Sequence, residues 1–211
     1  MVAYEIFKRA FSVKRVKREM ELLINFVVNY LVKLEIIEAG EVEIYYFGIR
    51  EGILLIFNII FTLLISFVLS DIRTGILFLI CFAPIRCYAG GFHAKTRRKC
   101  FYYSIVIVVI ALEGIKILDF LGVELLILLF LTSYWIGRKS PVENINKPLN
   151  VDERKIYRKK TNSILCLEDM IALLFWRICP LITNVVVMAQ MIELVLIFMA
   201  KRKGLIGVEC T

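Results

Sequence analysis

Long apolar runs separated by short polar segments dominate the chain after residue 50. The runs cover residues 52–69, 75–85, 101–118, 120–136 and 164–200. A helix needs about 20 mainly apolar residues to cross a bilayer. The last run is long enough for two crossings, and Pro180 is the natural break because proline interrupts a helix. The pattern therefore predicts about six membrane-spanning helices, with Pro84 kinking or ending the short second one.

The first fifty residues follow a different pattern. Lys, Arg and Glu fill much of this segment, and apolar residues recur at helical spacing, namely Met20, Leu23, Ile24, Val27, Val28 and Leu31. This predicts an amphipathic helical segment that either lies in the cytoplasmic membrane interface or packs on the helix bundle. We expect two parts, an interfacial N-terminal segment over residues 1–50 and a membrane-embedded domain over residues 51–211.

Composition supports the membrane assignment. Hydrophobic residues make up 60% of the chain, and the mean hydropathy is +0.77. Soluble domains are closer to half apolar, so the excess calls for a second apolar solvent. The predicted fold class is all-α, a polytopic membrane helix bundle.

The positive charge has a pattern along the chain. The formal net charge is +8, and Lys and Arg concentrate in the N-terminal arm, residues 86–99, residues 137–163 and the C-terminal tail. The connections around Asp71 and Asp119 are poor in them. Basic loops stay in the cytoplasm and contact anionic lipid, so we expect both termini there and a lipid bilayer, not nucleic acid, as partner. The many charged residues of 137–163 predict a polar loop, and Pro141 and Pro148 argue against a single long helix there.

The chain has a single histidine, His93, and Cys100 follows it by seven positions. A thiol attacks as the thiolate, which neighbouring cations and a proton-accepting imidazole favour. Arg97, Arg98 and Lys99 directly precede Cys100, and the reducing cytoplasm keeps a thiol free. The six cysteines include no CxxC pair, and one histidine cannot build a histidine-rich metal site, so no metal or cofactor is expected.

Helix geometry constrains this pair. Positions seven apart on a straight α-helix are separated by about 10.5 Å along the axis, beyond hydrogen-bond reach. The segment between His93 and Cys100 must therefore bend if the two act together. Gly90 and Gly91 permit the unusual backbone angles of a bend. Thr96 is a candidate N-cap, which would put Cys100 in the first turn of the next helix.

Other parts of this site are open from sequence. The residue that orients His93 is not identified; Glu113, Glu168 and Asp169 are candidates, each also explicable as a polar contact inside the bundle. Arg86 reaches either lipid phosphate or a substrate carboxylate. The N–H groups of Gly90, Gly91 or the next helix start are candidates for an oxyanion hole.

Two alternative functions also fit the composition. A small transporter or channel would need charges within its spans, and Glu113 with Lys116 is the notable pair, although the end of the third span explains it more simply. A membrane adaptor would dock an acidic partner on the basic residues 137–163.

At the His/Cys segment the sequence resembles accessory gene regulator protein B, the AgrB family of Gram-positive bacteria. The residues that carry the resemblance are Arg86, then Ala89-Gly90-Gly91-Phe92-His93-Ala94, then Cys100. The length, basic N-terminal arm and polytopic layout also fit. Arg86 and Gly91 match positions that the family needs for activity.

The resemblance implies a specific chemistry. AgrB-like proteins are cysteine endopeptidases of the bacterial cell membrane, thought to work as homodimers. They cut a precursor peptide, AgrD, near its acidic C-terminal tail. Cys100 would attack the scissile carbonyl and hold the peptide as a thioester, while His93 would take the thiol proton and later protonate the leaving amine. An internal Cys or Ser of the peptide would then close a thiolactone or lactone, the quorum-sensing signal.

Overall fold

The computed structural model describes residues 13–34, 36–37, 40–69, 71–92, 97–142 and 149–208, without the side chains of 13–20, 97–98 and 203–208. These residues form seven helices and no strand. The helices are α1 (Val13–Lys33), α2 (Val42–Leu69), α3 (Ile72–Ala89), α4 (Arg97–Leu118), α5 (Val123–Lys139), α6 (Val151–Phe175) and α7 (Pro180–Val208).

Four of the described helices are long and apolar enough to cross a membrane. They are Val42–Leu69, Ile72–Ala89, Lys99–Leu118 and Pro180–Arg202. The prediction of an all-α polytopic membrane bundle is confirmed. The two remaining predicted spans correspond to α5, which has 17 residues, and to the C-terminal half of α6. Their crossing of the bilayer stays a prediction.

The break at Pro180 is confirmed. Helix α6 ends at Phe175 and α7 begins at Pro180 itself. A proline at the first helical position costs no hydrogen bond, because an N–H group there has no acceptor within the helix. Pro84, in contrast, lies inside α3, which continues to Ala89, so the second span is longer than its apolar run.

The predicted loop over residues 137–163 is wrong for residues 151–163, whereas the expectation that no single long helix crosses this range is confirmed. Helix α5 ends at Lys139, and α6 begins at Val151, so residues 151–163 are helical. The backbone N–H of Asn150 donates to Glu153 Oε2 at 2.9 Å, which stabilises the helix start. The prolines are compatible with this because both precede Val151. Long charged side chains such as Arg154 and Lys155 are good helix formers, which the loop prediction neglected.

The chain forms two compact units, Met1–Phe57 and Asn58–Thr211. In the first, Ile24, Val28 and Ile37 are buried, while Leu22 and Phe26 on α1 are exposed. Helix α2 begins at Val42 and continues past residue 50 without interruption. The interfacial position of residues 1–50 stays a prediction.

In the second unit, α7 is the central helix. It packs against α3, α4, α5 and α6. Eight consecutive residues, Thr183–Gln190, are buried, so this stretch of α7 is enclosed on all sides. The helices nearest in sequence alternate in direction, so one end of the unit gathers the C-termini of α3, α5 and α7 with the N-termini of α4 and α6. We call this the basic end.

Contacts at both ends support this arrangement. At the basic end, Arg158 Nη2 donates to the carbonyl of Arg138 at 3.2 Å, which joins α6 to α5. Lys160 Nζ lies 4.8 Å from the ring centre of Tyr88 on α3. At the opposite end, Asn184 Nδ2 donates to Asp119 Oδ1, which joins α7 to the α4–α5 turn. These contacts place the ends of α3, α5 and α6 together at the basic end, and the start of α7 beside the α4–α5 turn at the opposite end.

Candidate functional site

Arg86 lies in the last turn of α3 and points back onto its own chain. Its Nη1 donates to the carbonyl of Gly90 at 2.7 Å, and its Nη2 donates to the carbonyl of Phe92 at 2.5 Å. Only 20% of its side chain is exposed. The guanidinium therefore fixes the backbone that leads into His93. Neither of the two roles expected for Arg86 from sequence, lipid phosphate or substrate carboxylate, included this arrangement.

Gly90 and Gly91 both adopt positive φ angles, +79° and +132°. Side chains other than glycine rarely adopt such angles. A Cβ atom at Gly90 would overlap the carbonyl oxygen of Val142. A Cβ atom at Gly91 would overlap Nη1 of Arg86 and lie 3.4 Å from Oε1 of Glu193. The glycine pair thus provides both the bend and the space that the guanidinium occupies.

The segment 89–92 is held from two further directions. Val142 N–H donates to the carbonyl of Ala89 at 2.8 Å. Phe92 N–H donates to the carbonyl of Leu196 on α7 at 3.1 Å. With the two bonds from Arg86, four backbone groups of this short segment have partners. We call residues 89–92 the site strap.

The strap runs alongside the helix that carries Cys100. The rings of Phe92 and Tyr103 pack edge to face, with centroids 5.7 Å apart. On a continuous helix these residues would be about 16.5 Å apart along the axis, so Phe92 does not lie on a straight extension of α4. Cys100 lies in the first turn of α4 and is half-buried, and its carbonyl accepts from Ser104 Oγ at 3.0 Å. His93 and Thr96 lie outside the described residues.

Glu193 is the site residue that sequence reasoning missed. It lies on α7 with its side chain fully buried, and its Oε1 is 3.6 Å from Nη1 of Arg86. The signal was present in the sequence, because Glu193 is the one acidic residue in the apolar stretch 181–200. An ionisable residue inside a membrane bundle is a functional candidate by default. Its partner, Arg86, lies more than 100 positions away and could not be identified from the sequence.

The predicted candidates for orienting His93 lie in other surroundings. Glu113 binds Lys116 Nζ at 2.8 Å, and Lys116 also donates to the carbonyl of Leu69. This pair lies near the end of α4, 13 residues or about 20 Å of helix from Cys100. The simpler explanation of the pair, at the end of its span, therefore agrees with the structure.

Glu168 and Asp169 belong to a buried polar network between α5, α6 and α7. Asp169 accepts from Ser133 Oγ at 2.6 Å and from Gln190 Nε2 at 2.8 Å. Gln190 Oε1 accepts from Thr132 Oγ1 at 2.9 Å. Glu168 is buried beside Asp169. Within the part of the chain that is described, no cluster of three His, Cys, Asp or Glu residues is arranged to hold a metal ion.

Comparison with known families decides the family assignment. The model of the family Accessory gene regulator B (AgrB) matches residues 24–199, which include all the site residues described above. The chain belongs to the AgrB family. This family is known in accessory gene regulator quorum sensing and is associated with AgrD processing. No curated protein and no solved structure matched this AgrB-family chain.

Proposed function

We propose that this AgrB-family protein is a membrane cysteine endopeptidase that cleaves the C-terminal tail of an AgrD-like precursor peptide. Cys100 attacks the scissile carbonyl and retains the N-terminal fragment as a thioester. His93 accepts the thiol proton and donates it to the leaving amine. An internal Cys or Ser of the fragment then attacks the thioester and releases a cyclic thiolactone or lactone.

One observation carries this proposal: the contact between Phe92 and Tyr103. Phe92 directly precedes His93, and Tyr103 is one helical turn beyond Cys100. A base must come within hydrogen-bond reach of the thiol it deprotonates. The contact excludes a single straight helix through both segments. On such a helix, His93 and Cys100 would be too far apart to share a hydrogen bond.

The position of Cys100 in α4 favours its role as a nucleophile. The first N–H groups of a helix lack intrahelical acceptors, and the helix dipole stabilises negative charge there. Lys99 is adjacent in sequence. The same N–H groups are our candidates for stabilising the oxyanion that forms when the thiolate attacks the carbonyl.

Ring closure follows from the thioester. Hydrolysis would release the energy of the acyl bond, whereas the thioester retains it for transfer to the internal nucleophile. A site bordered by lipid and by packed helices limits the access of water, which competes with that nucleophile. Such a site suits cyclisation better than an open aqueous cleft.

The basic end offers a surface for an acidic substrate tail. One open face of α6 carries Lys155, Arg158 and Lys159, followed along the helix by Asn162, Ser163, Cys166, Leu167 and Met170. Opposite charges across such a surface guide encounter and fix orientation. The homodimer implied by the family resemblance stays a prediction.

We propose that the basic end faces the cytoplasm, as the positive-inside rule requires. A thiol-reactive, membrane-impermeant maleimide tests this in a background without other exposed cysteines. Asp152→Cys at the basic end and Phe120→Cys at the opposite end are matched, because the native side chains are 90% and 89% exposed. In intact cells we expect labelling of Phe120→Cys alone, and of both after permeabilisation. The reverse pattern would invert the topology.

The direct test of the mechanism is capture of the acyl-enzyme. Purified full-length protein in detergent is mixed with the precursor and quenched in acid within the first turnover. Intact-mass analysis should show an adduct equal to the N-terminal fragment, mapped to Cys100 and released by hydroxylamine. An acyl-thioester accumulates in this way when the second step is slower than the first.

Cys179→Ala is the matched control, since Cys179 is half-buried like Cys100 and lies between α6 and α7. It should form the same adduct in the same amount. Cleavage at the normal rate with an adduct on another residue, or with none at any quench time, would count against Cys100 as the nucleophile.

A further inference from the structure

We propose that Glu193 is a positioning residue for the peptidase site: it holds Arg86 against the site strap and thereby directs His93 toward Cys100. The inference rests on the proposed function. It adds a residue that touches neither the thiol nor the peptide, on the last helix of the bundle.

The burial of Glu193 is the first observation. Its side chain is fully buried on α7. Among the described residues, none donates a hydrogen bond to either carboxylate oxygen. An isolated buried carboxylate is strongly unfavourable, and it is tolerated where an opposite charge is close. Arg86 Nη1, at 3.6 Å, supplies that charge.

The second observation is what Arg86 does with its remaining donors. Nη1 donates to the carbonyl of Gly90, and Nη2 donates to the carbonyl of Phe92, the last residue before His93. The guanidinium is planar, so its donors form a rigid fork. Fixing one nitrogen beside Glu193 therefore fixes the direction of the other. The Glu193 carboxylate therefore positions the Arg86 guanidinium, and the guanidinium positions Phe92 at the end of the strap.

The third observation is that α7 holds the strap in two ways, once directly and once through Arg86. Leu196 is three residues beyond Glu193, one turn along the same helix, and its carbonyl accepts from Phe92 N–H at 3.1 Å. The N–H of Phe92 thus binds α7 directly. Its carbonyl binds Arg86, which Glu193 of α7 holds in place. Gly91 lies between these contacts without a side chain that would displace the guanidinium.

The experiment compares three full-length variants with wild type and with His93→Ala, which gives the reference alkylation rate, each normalised to monodisperse protein. Glu193→Gln keeps the size but removes the charge, and Glu193→Asp keeps the charge but shortens the reach. Asp169→Asn is the control, since Asp169 is an acidic residue inside the same bundle, bonded to Ser133 and Gln190 rather than to the strap. The readouts are kcat and KM for precursor cleavage and the rate of Cys100 alkylation by iodoacetamide without precursor.

We expect Glu193→Gln to lower kcat by about 10- to 100-fold, the cost of a misplacement of about 1 Å, with KM changed less than about twofold. Its Cys100 alkylation at neutral pH should slow to the rate of His93→Ala, because the base is no longer directed at the thiol. Glu193→Asp should lie between Glu193→Gln and wild type. Asp169→Asn should match wild type within about threefold.

A purely structural role would lower the yield of folded protein and leave kcat and the alkylation rate of the folded fraction unchanged; that result overturns the inference. If Glu193→Gln does not fold, Glu193→Asp decides: wild-type kcat and alkylation overturn the inference, and a kcat loss with slower alkylation supports it. Failure of the proposed function itself is distinguishable, because Cys100→Ala would then still cleave the precursor.

Discussion

Replacing Cys100 by alanine is expected to lower precursor cleavage by on the order of 10⁴-fold or more, while the protein still inserts and purifies as a monodisperse species. The reason is that no other group can form the acyl-enzyme, and losing the nucleophile of a covalent mechanism costs factors of this size. Cys100 is half-buried at a helix start, where the smaller alanine fits and favours helix. The measurement is single-turnover cleavage of the precursor, followed by mass spectrometry.

His93→Ala should give a loss of similar size, since base and nucleophile act as one unit and their effects do not add. The double variant His93→Ala/Cys100→Ala should therefore be no worse than Cys100→Ala. Cys179→Ala provides the control, with cleavage like wild type. Normal processing by well-expressed Cys100→Ala would exclude the cysteine mechanism and favour a transporter or an adaptor.

Gly91→Ala is expected to lower kcat by about 100-fold and to reduce stability by about 1–3 kcal/mol. A Cβ at this position meets the guanidinium of Arg86, and a φ of +132° is strained for alanine. The substitution therefore displaces Arg86 from the carbonyls of Gly90 and Phe92 and releases the strap. Cleavage kinetics and thermal unfolding in detergent measure the two effects.

Gly52→Ala is the matched control, because no atom lies within 4 Å of a Cβ built there and the residue is inside α2. It should be neutral or more stable by up to about 1 kcal/mol, the helix preference of alanine over glycine. A double-mutant cycle sharpens the test. If Gly91→Ala acts by displacing Arg86, then its kcat loss and that of Arg86→Ala should not add. Fully additive losses would contradict that mechanism.

The helical framework was predictable because its signals are local. Apolar runs became the cores of α2, α3, α4 and α7, and Pro180 divided the last long run into two helices. The error at residues 151–163 came from treating charge as evidence of a loop. Lys, Arg and Glu are good helix formers, and Asn150 with Glu153 gave a start signal that the prolines obscured.

The site was predictable only in part. The glycines permit a bend, and a lone histidine and a cysteine that act together require one, so a bend before Cys100 was expected. The contact of Phe92 with Tyr103 agrees with it. The partners of Arg86 were not predictable, because Gly90 and Phe92 accept through backbone carbonyls, which every residue has. Glu193 comes from a distant helix, and sequence spacing contains no information on which helix packs beside which.

The dependence of the strap on α7 has a consequence during synthesis. Leu196, whose carbonyl holds Phe92, follows it by 104 positions. At about 5–20 residues per second, the ribosome needs roughly 5–20 s to complete that stretch. Until then, a nascent chain already contains its thiol and imidazole but lacks the support that aligns them. We expect any peptidase activity to arise only after Leu196 has been added, so shorter nascent chains do not cleave the membrane peptides around them.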